Sequence, residues 1–228
     1  MSLTESPSAL LEHPAFSVTC RPPWLVARCD RPQRMLSWSL TRPGFARAST
    51  VAWLEVRNAD LGPDTDADDL LLMKQRAAGL EDAIPFITSR DVRRHHRVAT
   101  RVGDVMATCL VTVGLSNGDR VGMPRIRREP RASTINMLVH VNRPLEDGAM
   151  LETMSIATEA RTAAVIELGW QIEGRIITGT GTDCIVIACP DHENGERFAG
   201  LHTDIGEAVG TACYRAVLAG AKIWRAEQ

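Results

Sequence analysis

The sequence predicts an α+β fold: a single domain over residues 1–228, built on a mixed β-sheet with helices packed against it. Three observations carry this. The first sixty residues are short β-branched and aromatic runs separated by Pro22, Pro23, Pro32, Pro43 and Gly44. From Thr134 onward a strand is followed by a helix, and the order then repeats. No break in composition divides the chain, so residues 1–87 read as the strand-rich part of one domain and 88–220 as its continuation.

Taken in order, "FSVTC", "WLVARC", "RMLSWSL" and "STVAWLEVR" are an antiparallel start. After an acidic loop around Pro63, "DADDLLLMKQRAAGL" opens with carboxylates and closes near a glycine, the start and stop signals of a helix. "TSRDVRRHHRVAT" is expected to be helical as well. "DVMATCLVTVGLSNGDRVG" is a strand entering an Asn117-Gly118 turn, a hairpin signal, and Pro124 to Arg131 is a surface connection.

In "TINMLVHV", Ile135, Met137, Val139 and Val141 share one face, while Thr134, Asn136, Leu138 and His140 share the other. The helix after it places Met150, Met154, Ala157, Ala160, Ala164 and Leu168 at helical spacing. Glu152, Ser155, Glu159 and Thr162 form its polar stripe, and Gly169 ends it. The second unit is a strand from Cys184 to Cys189, apolar on both faces, and the helix of "HTDIGEAVGTACYRAVLAG" with Ile205, Ala208, Val209, Ala212 and Ala216 inward.

The chain of 228 residues is 44% hydrophobic and 24% charged with net charge −2, which marks an ordinary globular protein and points away from nucleic acid. Six cysteines at long irregular spacings, several inside apolar runs, suit reduced buried thiols rather than disulfides or zinc. The N-terminus has no basic start followed by a long apolar stretch, and no run of about 18 apolar residues occurs. A cytoplasmic protein without a membrane partner is the expectation; a homo-oligomer stays open.

Two segments draw attention as chemistry. In "GTGTDCIVIACP", Gly179 and Gly181 let the backbone approach a ligand, Thr180 and Thr182 add hydroxyls, and Asp183 stands where loop becomes strand. The plain structural reading is a tight turn whose threonines satisfy their own backbone. It is not a P-loop, since the lysine is missing. In "HTDIGE", His202, Asp204 and Glu207 can activate water or orient an imidazole. Thr203 or Asp204 also suits a helix cap, with Glu207 in the first turn, so the functional weight falls on His202. Asn136, Asn117 and Glu159 are further binding candidates, each with a simpler role as core, turn or solvated residue; His140 is more simply a satisfied strand histidine.

Together, "TSRDV", "VTVGLSN", "TINMLVHVNRPLEDGAM", "ATEARTAAVIELG", "TGTGTDCIVIACP" and "FAGLHTDIGEAVGTACYRAV", in this order, resemble the adenosylcobinamide amidohydrolases from about Thr88 to Val217. Leu201 stands where the family has a small hydroxylated residue, and Asp204 where a glutamate is usual. The resemblance implies hydrolysis of the amide joining a corrinoid to its aminopropanol arm, giving adenosylcobyric acid for coenzyme B12 salvage. It implies no resident cofactor or metal, because cobalt arrives inside the corrinoid substrate. His202, oriented by Asp204 or Glu207, would move the proton. Gly179, Thr180, Gly181 and Thr182 would hold the oxyanion, and Asp183 would position a donor or the water. Attack by Thr180 or Thr182 is the covalent variant. The competing expectations are a non-catalytic corrinoid or nucleotide binder, and a metal-dependent amidohydrolase of another substrate.

Overall fold

The computed structural model describes residues 15–62, 65–123 and 133–228; the acidic loop at Pro63 and the connection from Pro124 to Arg131 fall wholly or partly outside them. The elements are β1 (Ser17–Arg21), β2 (Trp24–Ser37), β3 (Gly44–Glu55), α1 (Ala67–Ala78), β4 (Ile84–Thr88), β5 (His95–Val102), β6 (Val105–Val113), β7 (Gly118–Asp119), β8 (Ile135–Val141), α2 (Asp147–Leu168), β9 (Gln171–Ile172), β10 (Arg175–Ile176), β11 (Gly179–Thr180), β12 (Cys184–Pro190) and α3 (Asp204–Ala226). One mixed sheet runs β4-β3-β2-β12-β8-β6-β5, with β1 paired to β2. The β12–β8 and β3–β4 pairs are parallel and the rest of this sheet is antiparallel. The α+β class with a mixed sheet and packed helices is what the structure has.

The period-two pattern sorts side chains between two cores. Ile135, Met137, Val139 and Val141 of β8, with Ile185, Ile187 and Cys189 of β12, face α2 and α3. Leu138, Val186 and Ala188 face the other way, onto Phe16, Leu25, Trp53 and Phe86. The sheet curls around this second core. Four strand spacings separate β4 from β8, about 19 Å if flat. Yet the Asn136 side-chain amide donates to the Ile87 carbonyl at 2.8 Å.

The helices end as their sequences require. Asp66 caps α1 by accepting from the amides of Asp68 and Asp69, and Gly79 closes it in the left-handed region at φ 65°. Gly169 closes α2 in the same way at φ 69°. α3 runs through Gly220 to Ala226 instead of stopping at that glycine. Gly220 lies where α3 meets the sheet, and a Cβ there would stand 2.7 Å from the Val113 side chain.

Three expectations change. "WLVARC" and "RMLSWSL" are parts of one strand, β2, whose register with β3 shifts between Arg28 and Gln33, at the proline that cannot donate to the ladder. "TSRDVRRHHRVAT" is not helical: after a short 3-10 turn at Val92–Arg94 it becomes β5, paired with β6 from His95–Thr112 to Val102–Val105. Long-range pairing outweighs a local propensity that the charged residues made look helical. The turn expected at Asn117-Gly118 forms one residue earlier, with the Gly118 amide on the Leu115 carbonyl at 2.9 Å, Ser116 and Asn117 at its centre and Gly118 already in β7. It makes no hairpin with β6, because β7 pairs with β11 instead.

Candidate active site

The β7–β11 pairing brings the turn before β7 and the glycine-threonine loop together. Gly179 pairs with Asp119 and Thr180 with Gly118, and the Gly181 amide reaches the Asn117 carbonyl at 3.3 Å. Beside this seam, between the β2–β3 connection and the ends of β4, β8 and β12, lies a cleft of about 530 Å³. Trp38, Leu40, Leu61 and Phe86 give it apolar walls. Asn117, Thr134, Asn136, Gly181, Thr182 and Asp183 bring polar groups to it.

Asp183 is the hub of the loop. Its carboxylate accepts the backbone amides of Ile135 and Thr180, each at 2.9 Å, and the Thr180 hydroxyl. Arg161, from the inner side of α2, places a guanidinium nitrogen 2.9 Å away, with the two side chains 13% and 6% exposed. Those four donors fill a carboxylate's acceptor sites, so Asp183 has no free lone pair for a water. Gly179 is required by the same hub, because a Cβ there would lie 2.7 Å from the Asp183 carboxylate. The Trp38 indole N–H donates to the Asp183 carbonyl at 2.7 Å and the Thr134 hydroxyl to the Thr182 carbonyl at 2.8 Å. Thr182 itself is exposed, and its hydroxyl makes no hydrogen bond among the described residues.

A hydroxyl and a carboxylate are therefore in contact at one place: the Thr180 hydroxyl donates to Asp183, and Arg161 is paired with Asp183 in turn. A hydroxyl on a carboxylate that a third group holds is the contact pattern a covalent hydrolase requires of its nucleophile, base and orienting residue. The cysteine on the cleft does not compete, since burial pushes the Cys184 thiol up to about 12 and keeps it protonated.

The histidine segment lies elsewhere. β12 spans about 20 Å between the loop and the turn leading to α3. Asp204 lines a different cleft of about 830 Å³, beyond the ends of β8 and β12 opposite the loop, together with Asp104, Arg143, Glu196 and Arg197. The expected meeting of His202 with Gly179–Thr182 is thus not present: a single strand joins the two segments by holding them at its opposite ends. His202 is exposed and makes no hydrogen bond among the described residues, to Asp204 or Glu207 in particular. The motif has a structural account instead. Thr203 caps α3 by accepting the Gly206 amide at 3.0 Å while donating to the Gly200 carbonyl at 2.8 Å, and any Cβ on Gly206 would overlap that carbonyl. Asp204 and Glu207 lie in the first turn, where the helix dipole favours carboxylates.

Of the remaining candidates, Asn136 is 1% exposed and clamps β8 to β4 while lining the cleft. Glu159 is on the solvent side of α2, bonded to Ser155, and lines neither cleft. His140 is buried on the inner face of the sheet, 3.2 Å from the Gln33 amide oxygen, and burial pushes it down to about 4. Sequence reasoning missed Arg161 and Trp38. The signal for Arg161 was available: it sits between Ala157 and Ala164 at i+4 and i−3, a lone cation on an apolar stripe, which marks a buried ion pair.

Among the described residues no three His, Cys, Asp or Glu side chains gather to hold a metal, and no helix is long and apolar enough to cross a membrane. The model of the family described as Adenosylcobinamide amidohydrolase matches residues 9–228. The chain belongs to that family. The adenosylcobinamide amidohydrolase match extends well N-terminal of the Thr88 at which the motif resemblance begins, so β1–β4, and with them Trp38 and Phe86, lie within the family's span. Relatives include a protein named Adenosylcobinamide amidohydrolase from Halobacterium salinarum, 28% identical over 68% of this chain and 66% of that one. Another of that name, from Methanosarcina mazei, is 25% identical over 54% and 60%. An uncharacterised protein of Methanocaldococcus jannaschii is 36% identical over 37% and 34%. The chain thus spans less than two thirds of each of these relatives. A solved structure, the PH0078 protein from Pyrococcus horikoshii OT3, superposes with TM-score 0.45 at 8% identity over 90% of this chain and 78% of that one.

Proposed function

We propose that the protein hydrolyses the amide between the corrinoid ring and aminopropanol in adenosylcobinamide, releasing adenosylcobyric acid for coenzyme B12 salvage, and that the Thr180–Asp183–Arg161 array beside the apolar cleft performs the step. The observation that carries this reading is the Thr180 hydroxyl already donating to a carboxylate that Arg161 holds in place, within a family of amide hydrolases.

In this mechanism the Thr180 oxygen bonds to the amide carbonyl carbon as its proton passes to Asp183. The Asn117 side-chain amide, on the cleft wall, supplies a donor to the developing oxyanion. Collapse breaks the C–N bond, and the proton on Asp183 goes to the departing amine, freeing aminopropanol. Water then hydrolyses the ester on Thr180 and restores the hydroxyl. The apolar walls receive the corrinoid, whose fringe of neutral amides meets the hydroxyls and amides of the cleft. Cobalt enters as part of the substrate.

A second reading, a corrinoid binder without catalysis, is favoured by one feature: among the described residues no histidine lines the cleft, and Asp183 has no free acceptor. Products separate the two. Purified protein incubated with adenosylcobinamide is expected to yield adenosylcobyric acid and free aminopropanol in equal amounts by chromatography. Intact substrate with binding still measurable would convert the cleft into a ligand cradle.

A further inference from the structure

We infer that Trp38 is a stacking platform for a flat conjugated ring of the ligand, an inference that rests on the 530 Å³ cleft being the substrate site. Trp38 is 44% exposed, whereas Trp53 and Trp224 are buried and Trp24 and Trp170 are half-buried. Leaving a large aromatic surface in water is unfavourable. Its indole N–H is nevertheless fixed on the Asp183 carbonyl at 2.7 Å, so the ring is held by one edge in a set orientation on the cleft wall. Among the described residues the one charged group lining the cleft, Asp183, is already paired with Arg161. What else lines it among them is uncharged, with exposed Leu40 for a ring face and Asn117 for a polar ring edge.

Two parts of adenosylcobinamide offer such a face, the corrin macrocycle and the adenine of its adenosyl ligand, and both bring the same chemistry to the indole. Stacking on one aromatic side chain changes affinity by about ten- to a hundredfold when that side chain is cut to alanine.

The test is equilibrium dialysis of wild type, Trp38→Ala and Trp38→Phe against adenosylcobinamide, dicyanocobinamide and adenosine, with steady-state kinetics on adenosylcobinamide and circular dichroism to confirm folding. Trp38→Ala is expected to raise Kd about ten- to a hundredfold, with a rise in KM that exceeds any fall in kcat. Trp38→Phe, which keeps a ring but loses the N–H, is expected to keep most of the affinity. A loss shared by both cobinamides assigns the macrocycle as the stacked ring; a loss confined to adenosylcobinamide and adenosine assigns the adenine. Equal damage from Phe and Ala would reduce Trp38 to a tether for the Asp183 carbonyl and overturn the inference, as would an unchanged Kd in Trp38→Ala. Wild type that binds but does not hydrolyse would sink the hydrolase reading while the Kd comparison still decides Trp38; wild type that binds none of the three would sink both.

Discussion

Asp183 shows how much one side chain organises here. Its carboxylate joins the loop before β12, the start of β8 and the middle of α2, through Thr180, Ile135 and Arg161. Asp183→Asn would replace two acceptor sites by donors that face donors. We expect this change to lower kcat by a hundredfold or more and also to destabilise the fold, seen as a lower Tm; a fully active Asp183→Asn would remove the carboxylate from the mechanism. Cys184→Ser should leave turnover within a few-fold, since its thiol is held protonated. His140 belongs to stability rather than catalysis. Burial lowers its folded pKa to about 4 from an unfolded value of 6.5, so the unfolded chain takes up the proton first as pH falls. Its neutral form supports the fold fully above pH 6.5, and roughly 3 kcal/mol is lost as pH drops from 6.5 toward 4. Urea titrations at several pH values should show that loss in wild type and a smaller one in His140→Gln.

At the scale of elements, the C-terminal half was open to sequence reading because its strands and helices follow simple periods. β8, α2 and β12 appear within a residue or two of the patterned segments, and Gly169 stops α2 as its position suggests. β5 was hidden because Arg93, Arg94, His95, His96 and Arg97 resemble an exposed helix face, and only the partner strand β6, not the local sequence, makes them extended. The turn before β7 was legible as a turn, but its partner β11 lies about sixty residues on, beyond any local signal. "HTDIGE" was legible as a cap and also as a catalytic cluster; geometry favours the cap, since Thr203 and Gly206 both contact Gly200. Thr203→Val is expected to cost about 1 kcal/mol of stability. Gly206→Ala should cost more, since backbone must move to admit the Cβ. Both are measured by thermal or denaturant unfolding, and a Gly206→Ala protein as stable as wild type would contradict the close packing.

The whole molecule places two clefts at opposite ends of one curled sheet, and that separation follows from topology. Parallel β8 and β12 joined by α2 put both strand starts at one end, so the loop before β12 falls beside Thr134 and Asn136. Both strand ends, with the start of α3, are at the other. No pairwise motif reading of "GTGTD" and "HTDIGE" contains this, because it depends on the direction of the strand between them. It also divides the predicted effects: changes at His202 should leave kcat and KM on adenosylcobinamide within a few-fold of wild type, whereas changes at Thr180, Asp183 and Arg161 should not. The most direct measurement is turnover of adenosylcobinamide by Thr180→Ala and Thr180→Ser beside wild type, with corrinoid binding followed in each. Loss of turnover by a hundredfold or more in the alanine variant, substantial activity in the serine variant, and retained binding in both are the expected result. A Thr180→Ala protein that releases aminopropanol at the wild-type rate would contradict it and return the chemistry to an activated water.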